Sequence, residues 1–334
     1  MRILVLGGTG WLGRTIARTA VAAGNHVTCL ARGETGGLAE GVRFVRADRA
    51  DPGAYASVAV ERWQAVIDVA RHPGHVRSAV AALSGSTERW AFVSTGNVYA
   101  DHSTLDADEA APLLDPLVGD VMASMEEYGA AKVACEQAVL AGLGERAVVA
   151  RSGLIGGPGD ESGRSGYWPR RFAHPSNPAA EVLVPAADLP TSLIDVRDLA
   201  AWLVAAVTGD ELSGTFDAIA NRVTLAEHLE TAREVAGHVG PLVAASDGWL
   251  AQQGVEEWSG PTSLPLWLRD PDWRAFAGRS GAKILRSGLQ PRPLRETLAD
   301  TLAWEESRTP TGWHGAGLTD AEELELLASY HGAP

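Results

Sequence analysis

Residues 1–31 read MRILVLGGTGWLGRTIARTAVAAGNHVTCLA. A β-type apolar run over 2–6 enters the glycine-rich stretch Gly7-Gly8-Thr9-Gly10-Trp11-Leu12-Gly13, a helix-type pattern follows over 11–23, and a second apolar run occupies 26–31. A strand before the glycines and a helix after them, within about 25 residues, is the context that separates a dinucleotide loop from an ordinary turn. Glycines are needed there because a tight turn must bring backbone amides and a helix N-terminus against a pyrophosphate. The stretch therefore assigns Gly7, Thr9, Gly10, Trp11, Leu12 and Gly13 to a dinucleotide cofactor.

The same alternation continues outward. Apolar runs at 42–46, 65–69, 90–94 and 147–151 alternate with Ala-rich amphipathic segments at 55–62, 76–83 and 126–141. Strand and helix in turn predict an α/β fold of the Rossmann type, a doubly wound parallel sheet covered on both faces. After Gly156 the texture changes to GGPGDESGRSG, which reads as a loop opening a second region. The expected division is a dinucleotide-binding domain over 1–157, to which 192–222 returns. A smaller, discontinuous C-terminal substrate-binding region takes 158–191 and 223–334. No internal repeat or low-complexity tract interrupts this.

Composition sets the remaining limits. The 334 residues are 46% hydrophobic and 21% charged, which suits a globular protein and not a disordered one. Net charge is −14, a sign that repels phosphate backbones and anionic lipid, so nucleic-acid and membrane partners are not expected. Two cysteines, Cys29 and Cys135, build neither a disulfide framework nor a thiolate zinc site, and a reducing, cytoplasmic setting fits. The N-terminus imitates a signal peptide, but Arg14 and Arg18 and the interrupting glycines break the pattern. The apolar stretch 199–207 is too short to span a bilayer.

Two positions bear on the choice of cofactor. Where the second strand ends, an NAD-preferring fold places an acidic residue on the ribose hydroxyls, whereas this chain has Ala31 and Arg32. A guanidinium there suits a 2′-phosphate, which favours NADP and leaves NAD open; a merely solvated arginine is the alternative. Asp48, after the third strand, belongs beside the adenine or else simply ends a strand.

Tyr128-Gly129-Ala130-Ala131-Lys132 places a phenol and an ammonium one helical turn apart, on one face. Of the 28 basic residues only Lys132 and Lys283 are lysine. The chemistry gives a reason to keep lysine here, since a compact ammonium can hold a ribose and acidify a neighbouring phenol. Bringing a phenol from about 10 toward neutrality takes roughly 3 to 4 kcal/mol. One ammonium at about 4 Å and an effective dielectric of about 20 supplies about 4 kcal/mol.

With GGTGWLG, FVSTGNVYA, YGAAK and RSGLIGGPGD in this order, the chain resembles the extended short-chain dehydrogenase/reductase family, the NAD-dependent epimerase/dehydratase group, across roughly residues 1 to 310. The resemblance implies that Thr95 hydrogen-bonds the reacting oxygen, that Tyr128 is the acid/base and that Lys132 binds the ribose. Glu109 resembles the family's acidic loop before the Tyr helix, and a homodimer is what the family suggests. Members that dehydrate sugars carry Asp-Glu directly after the catalytic Thr; Gly96-Asn97 stands here and argues against a sugar 4,6-dehydratase.

Substrate candidates follow from position. Ala70-Arg71-His72-Pro73-Gly74-His75 follows the fourth strand, whose C-terminal end faces the ligand crevice. That places Ala70 on the cofactor and Arg71 or His72 on substrate, against the alternative of structural histidines; no carboxylate or thiolate cluster makes a metal site of them. Gly96 and Asn97 flank the same crevice. Arg164, Tyr167 and Arg171 follow the Gly-Pro loop and could hold an anionic substrate such as a nucleotide-linked sugar, although Pro169 interrupts a regular helix there. Trp249, Trp258, Trp267 and Trp273 read as core packing or as an apolar substrate wall. Asp198 reads as a helix cap. The expected function is an NADP(H)-dependent oxidoreductase acting on a carbonyl or secondary alcohol. The alternatives are an NAD-dependent nucleotide-sugar epimerase and, in another class, a non-catalytic dinucleotide sensor or RNA-associated protein.

Overall fold

A computed structural model describes residues 1–34, 36–186, 188–209, 211–308 and 315–332. Its centre is a seven-stranded sheet of β1 (Arg2–Leu6), β2 (His26–Ala31), β3 (Arg43–Arg46), β4 (Trp63–Asp68), β5 (Thr87–Thr95), β6 (Ala147–Ser152) and β7 (Gly214–Ala218). The spatial order is β7-β6-β5-β4-β1-β2-β3 and every pairing is parallel. The order reverses between β1 and β4, so the crevice beyond their C-terminal ends is where a doubly wound fold takes its ligand.

Alternation within β1 divides the core. Ile3 and Val5 join the layer under α1 (Trp11–Ala22), while Leu4 and Leu6 join the opposite layer under α2 (Pro73–Leu83) and α3 (Tyr128–Leu143). These residues are fully buried, as expected for parallel strands covered on both faces. A second core gathers α4 (Tyr167–Ala173), α6 (Leu225–Ala236), α7 (Leu294–Ser307) and α8 (Asp320–Gly332) around Trp168, Phe172 and Trp267. Between α4 and α6 the chain returns to the sheet, where α5 (Val196–Thr208) packs on α1 and β7 pairs with β6.

Some elements differ from the sequence reading. The helix expected over 55–62 is one turn, Ala56–Ala59, because Asp51-Pro52-Gly53 before it and Arg62-Trp63 after it leave no room for more. Helix α2 starts at Pro73 rather than 76, since proline at the first helical position loses no hydrogen bond. The cap of α5 is Asp195, whose carboxylate accepts from Arg197 N at 2.8 Å; Asp198 lies inside the helix and pairs with Arg292.

Candidate active site

A cavity of about 790 Å³ opens at the C-terminal ends of the strands, and Thr95, Asn97, Tyr128 and Lys132 line it together with Trp11, Leu12, Arg71 and Arg164. The glycine loop borders one end of it, through Trp11 and Leu12. Gly7 has φ of 98°, and a Cβ on Gly13 would stand 2.1 Å from the Gly7 carbonyl oxygen, so both positions require glycine. Gly10 is different: a Cβ there meets nothing within 4 Å. It heads α1, which has neither a side-chain cap nor an acidic residue in its first turn. Helix-terminal N–H groups therefore face open space at the positive end of the helix dipole, the arrangement that accepts a pyrophosphate. Trp11 donates its indole N–H to the Pro158 carbonyl at 2.9 Å, which ties the loop after β6 to this end of the cavity.

The other end is built where α3 meets the loop after β5. A Cβ on Gly129 would lie 2.2 Å from the Asn97 carbonyl oxygen, so glycine after Tyr128 is what lets the helix come this close to Thr95. Ser124 caps the turn before Tyr128 by accepting from Glu126 N. Thr95, 7% exposed, accepts from Asn97 N at 3.3 Å and lies 2.9 Å from Asn97 Oδ1. Lys132, 2% exposed, donates to the Ala70 carbonyl at 2.8 Å and to the Val93 carbonyl, and rests 4.4 Å from the Phe92 ring. Two of the three ammonium hydrogens are thus fixed on backbone oxygens. Ser94 Oγ is buried at the cavity without a hydrogen-bond partner among the described residues, a polar atom suited to a ligand.

Beyond β2, Arg32 is exposed and pairs with Glu34 at 3.3 Å. Gly36, φ 66°, folds the following loop onto Thr9, and a Cβ on it would stand 3.4 Å from the Arg14 guanidinium, so Arg14 joins the segment that Arg32 opens. Asp48 accepts from Ala50 N at 3.0 Å with one oxygen, as a residue that ends a strand in a turn does.

The substrate candidates separate. Arg71, Asn97 and Arg164 line the cavity, and Gly96 packs under Phe276. The Arg164 guanidinium lies over the Trp258 ring at 5.6 Å, and burial pulls its pKa below the ordinary arginine value against the field of Asp160 and Tyr128. Tyr167 and Arg171 turn away from the cavity. The Tyr167 ring packs on Trp168 and Gly317, and Arg171 pairs with Asp320 at 2.7 Å and Glu323 at 3.2 Å, clamping α8 onto α4. Their four-residue spacing survives Pro169 because the proline falls in the first turn of α4. His72 stands at the N-cap of α2, edge-on to His75, outside the cavity lining. Glu109 lies outside the lining too: its carboxylate accepts from Asp217 N at 2.8 Å.

The tryptophans divide between both readings. Trp267 is fully buried and Trp249 packs on Tyr330, whereas Trp258 and Trp273 pack on Phe276 and line the cavity that Tyr128 also lines. Met125, Leu268, Glu257 and Asp270 complete that wall, and no local spacing in the sequence marked them. Trp258, Thr262 and Leu266 hold φ of 67°, 51° and 69°, strained values for such side chains that concentrate in this segment.

The model of the NAD dependent epimerase/dehydratase family matches residues 3–84. A 2′-dehydrokanamycin reductase of Streptomyces kanamyceticus is 29% identical over 264 residues, covering 76% of this chain and 72% of that protein. UDP-N-acetylglucosamine 4-epimerase from Bacillus cereus shares the fold at a TM-score of 0.66 and 16% identity, covering 93% of this chain and 99% of that one. UDP-glucose 4-epimerase of Thermus thermophilus, solved with NAD, aligns at a TM-score of 0.61 and 20% identity, covering 92% of this chain and all of that one.

Proposed function

We propose that the chain belongs to the extended short-chain dehydrogenase/reductase family, in its NAD-dependent epimerase/dehydratase group, and that it is an NADP(H)-dependent oxidoreductase working on a ketone or secondary alcohol. The observation that carries the reading is that Tyr128, Lys132 and Thr95 converge on the same cavity as the open N-terminus of α1. A bound dinucleotide supplies the hydride. Tyr128 gives its phenolic proton to the carbonyl oxygen as negative charge grows there, and takes one back in the reverse direction. Lys132 holds the ribose, and Thr95 donates a second hydrogen bond to the same oxygen. Asn97 holds that hydroxyl at 2.9 Å, and rotation of the Asn97 amide releases it.

Arg32, with Arg14 beside its loop, supports NADP through a charge-assisted grip on a 2′-phosphate. The exposed Glu34 ion pair gives up little when Arg32 turns to a phosphate. The relative from Streptomyces kanamyceticus is by name a 2′-dehydrokanamycin reductase, and the Trp258, Trp273 and Phe276 wall suits the apolar face of a sugar ring. The test is NADPH consumption with a panel of ketosugars, 2′-dehydrokanamycin among them, by the wild type and by Tyr128→Phe. Turnover that persists in Tyr128→Phe rejects the assignment. Glu34, three residues beyond β2, and the Arg164 guanidinium in the cavity favour one second reading, an NAD-dependent nucleotide-sugar epimerase. Protein that purifies with tightly held NAD and interconverts sugar epimers without net cofactor change would establish it instead. A homodimer belongs to the proposal and is read by light scattering; among the described residues no helix is long and apolar enough to cross a membrane.

A further inference from the structure

We propose that the buried Arg49–Asp68 ion pair is a positioning device for Lys132: it fixes Ala70, whose carbonyl aims the ammonium into the cavity. Asp68 ends β4 and is fully buried. Its carboxylate takes the Arg49 guanidinium in a two-pronged pair, 2.6 and 2.8 Å, and Oδ1 also accepts from Ala70 N at 2.9 Å. The Ala70 carbonyl in turn accepts from Lys132 at 2.8 Å. Arg49 spends its other donors on Tyr55 Oη at 2.8 Å and on the His75 carbonyl at 2.9 Å, and Tyr55 bonds that carbonyl as well, at 3.0 Å. One guanidinium therefore spans the turn after β4 and the first turn of α2.

Neither member of the pair lines the cavity, and four of the five guanidinium N–H groups are already used. Arg49 is thus held for the backbone and not for a ligand. Stability alone is a weak reason to bury such a pair, because apolar residues of similar volume usually serve as well. Apolar residues cannot accept from Ala70 N, however. Without that acceptor the Ala70 carbonyl is free to turn, and the ammonium loses the direction in which it meets a ribose.

This inference rests on the reading of Lys132 as the ribose ligand, and the experiment separates the two. Arg49→Met/Asp68→Leu replaces the pair by apolar side chains, while Arg49→Met/Asp68→Asn keeps an amide oxygen for Ala70 N. Each protein, with wild type and Lys132→Met, is titrated with NADPH and with 2′,5′-ADP, which lacks the nicotinamide ribose. NADH and AMP form a parallel pair, so the result does not depend on which dinucleotide is preferred. The Leu variant is expected to bind 2′,5′-ADP like wild type and NADPH about ten- to a hundredfold more weakly, the worth of one hydrogen bond to a charged group. The Asn variant is expected to recover most of that affinity. Equal weakening of both ligands, unchanged NADPH binding by the Leu variant, or no recovery in the Asn variant would overturn the positioning role while Lys132→Met still weakens NADPH. Wild-type NADPH binding by Lys132→Met would instead overturn the reading of Lys132.

Discussion

Replacing Gly10 by alanine should separate cofactor binding from folding. Gly10 has φ −71° and ψ 165°, a conformation alanine adopts freely, and the added methyl meets nothing within 4 Å. The cost to the fold is that of a poorer N-cap, about 0.5 to 1 kcal/mol, or a few degrees in Tm. The same methyl would occupy the space over the first N–H groups of α1. Losing two charge-assisted hydrogen bonds to a pyrophosphate, at about 1.5 to 3 kcal/mol each, weakens NADPH at least a hundredfold. Gly13→Ala is the counterpart, since its methyl would stand 2.1 Å from the Gly7 carbonyl oxygen and 3.0 Å from Gly8 Cα, so α1 must move outward. Overpacking of about 1 to 3 kcal/mol is only partly offset by the gain of about 1 kcal/mol in helix propensity. The assay is a fluorescence titration with NADPH beside thermal unfolding of both variants. Gly10→Ala that binds NADPH within a few-fold of wild type would refute the placement of the pyrophosphate.

Three further expectations follow from other parts of the molecule. Arg32→Ala should lower the NADPH-to-NADH affinity ratio by about ten- to a hundredfold, with NADH unaffected; an unchanged ratio in competitive titration rejects Arg32 as a phosphate ligand. His228 is fully buried and burial holds its pKa down at about 4, so its contribution to stability is present above about 6.5 and is lost as pH falls through 4, by up to about 3 kcal/mol. Asp217, raised by burial to about 6, runs the other way, its contribution present below about 4 and lost as pH rises through 6. His228→Leu should therefore flatten the acid side of urea unfolding measured between pH 7 and 4.5, and an unaltered slope contradicts this. Arg171→Met leaves the Glu323 carboxylate buried without its guanidinium and should cost about 3 to 5 kcal/mol in urea unfolding, with NADPH affinity unchanged. A stable variant with weakened ligand binding would return Arg171 to the site.

What the sequence disclosed was whatever is written locally. The apolar run 2–6, the glycines after it and the four-residue Tyr128–Lys132 spacing each lie within one or two turns of chain, and the structure brings them to one crevice because parallel strands end there. What it hid depends on partners far away in sequence. Arg171 looked like a ligand for anions until α8 supplied Asp320 and Glu323, some 150 residues on. Trp258 and Trp267 are nine residues apart and look alike, yet one faces the cavity and the other is fully buried, a choice made by left-handed turns at 258, 262 and 266 that no periodicity announces. Arg49 follows β3 and Asp68 ends β4, and neither hints at Lys132 until the Ala70 carbonyl is seen between them. The exchange of Asp198 for Asp195 as the cap of α5 is the ordinary uncertainty of a helix end.

The central claim is that Tyr128 delivers the proton while a hydride passes from NADPH to a carbonyl carbon. A single-turnover experiment with NADPH deuterated at C4 of the nicotinamide, on the transferred face, and a ketosugar substrate tests it most directly, in wild type and in Tyr128→Phe. Wild type should place one deuterium on the product carbinol carbon and oxidise one equivalent of NADPH. Tyr128→Phe should bind the cofactor within a few-fold while transferring essentially no deuterium. Deuterium transfer by Tyr128→Phe at the wild-type rate, or wild-type turnover with no net oxidation of NADPH, would contradict it.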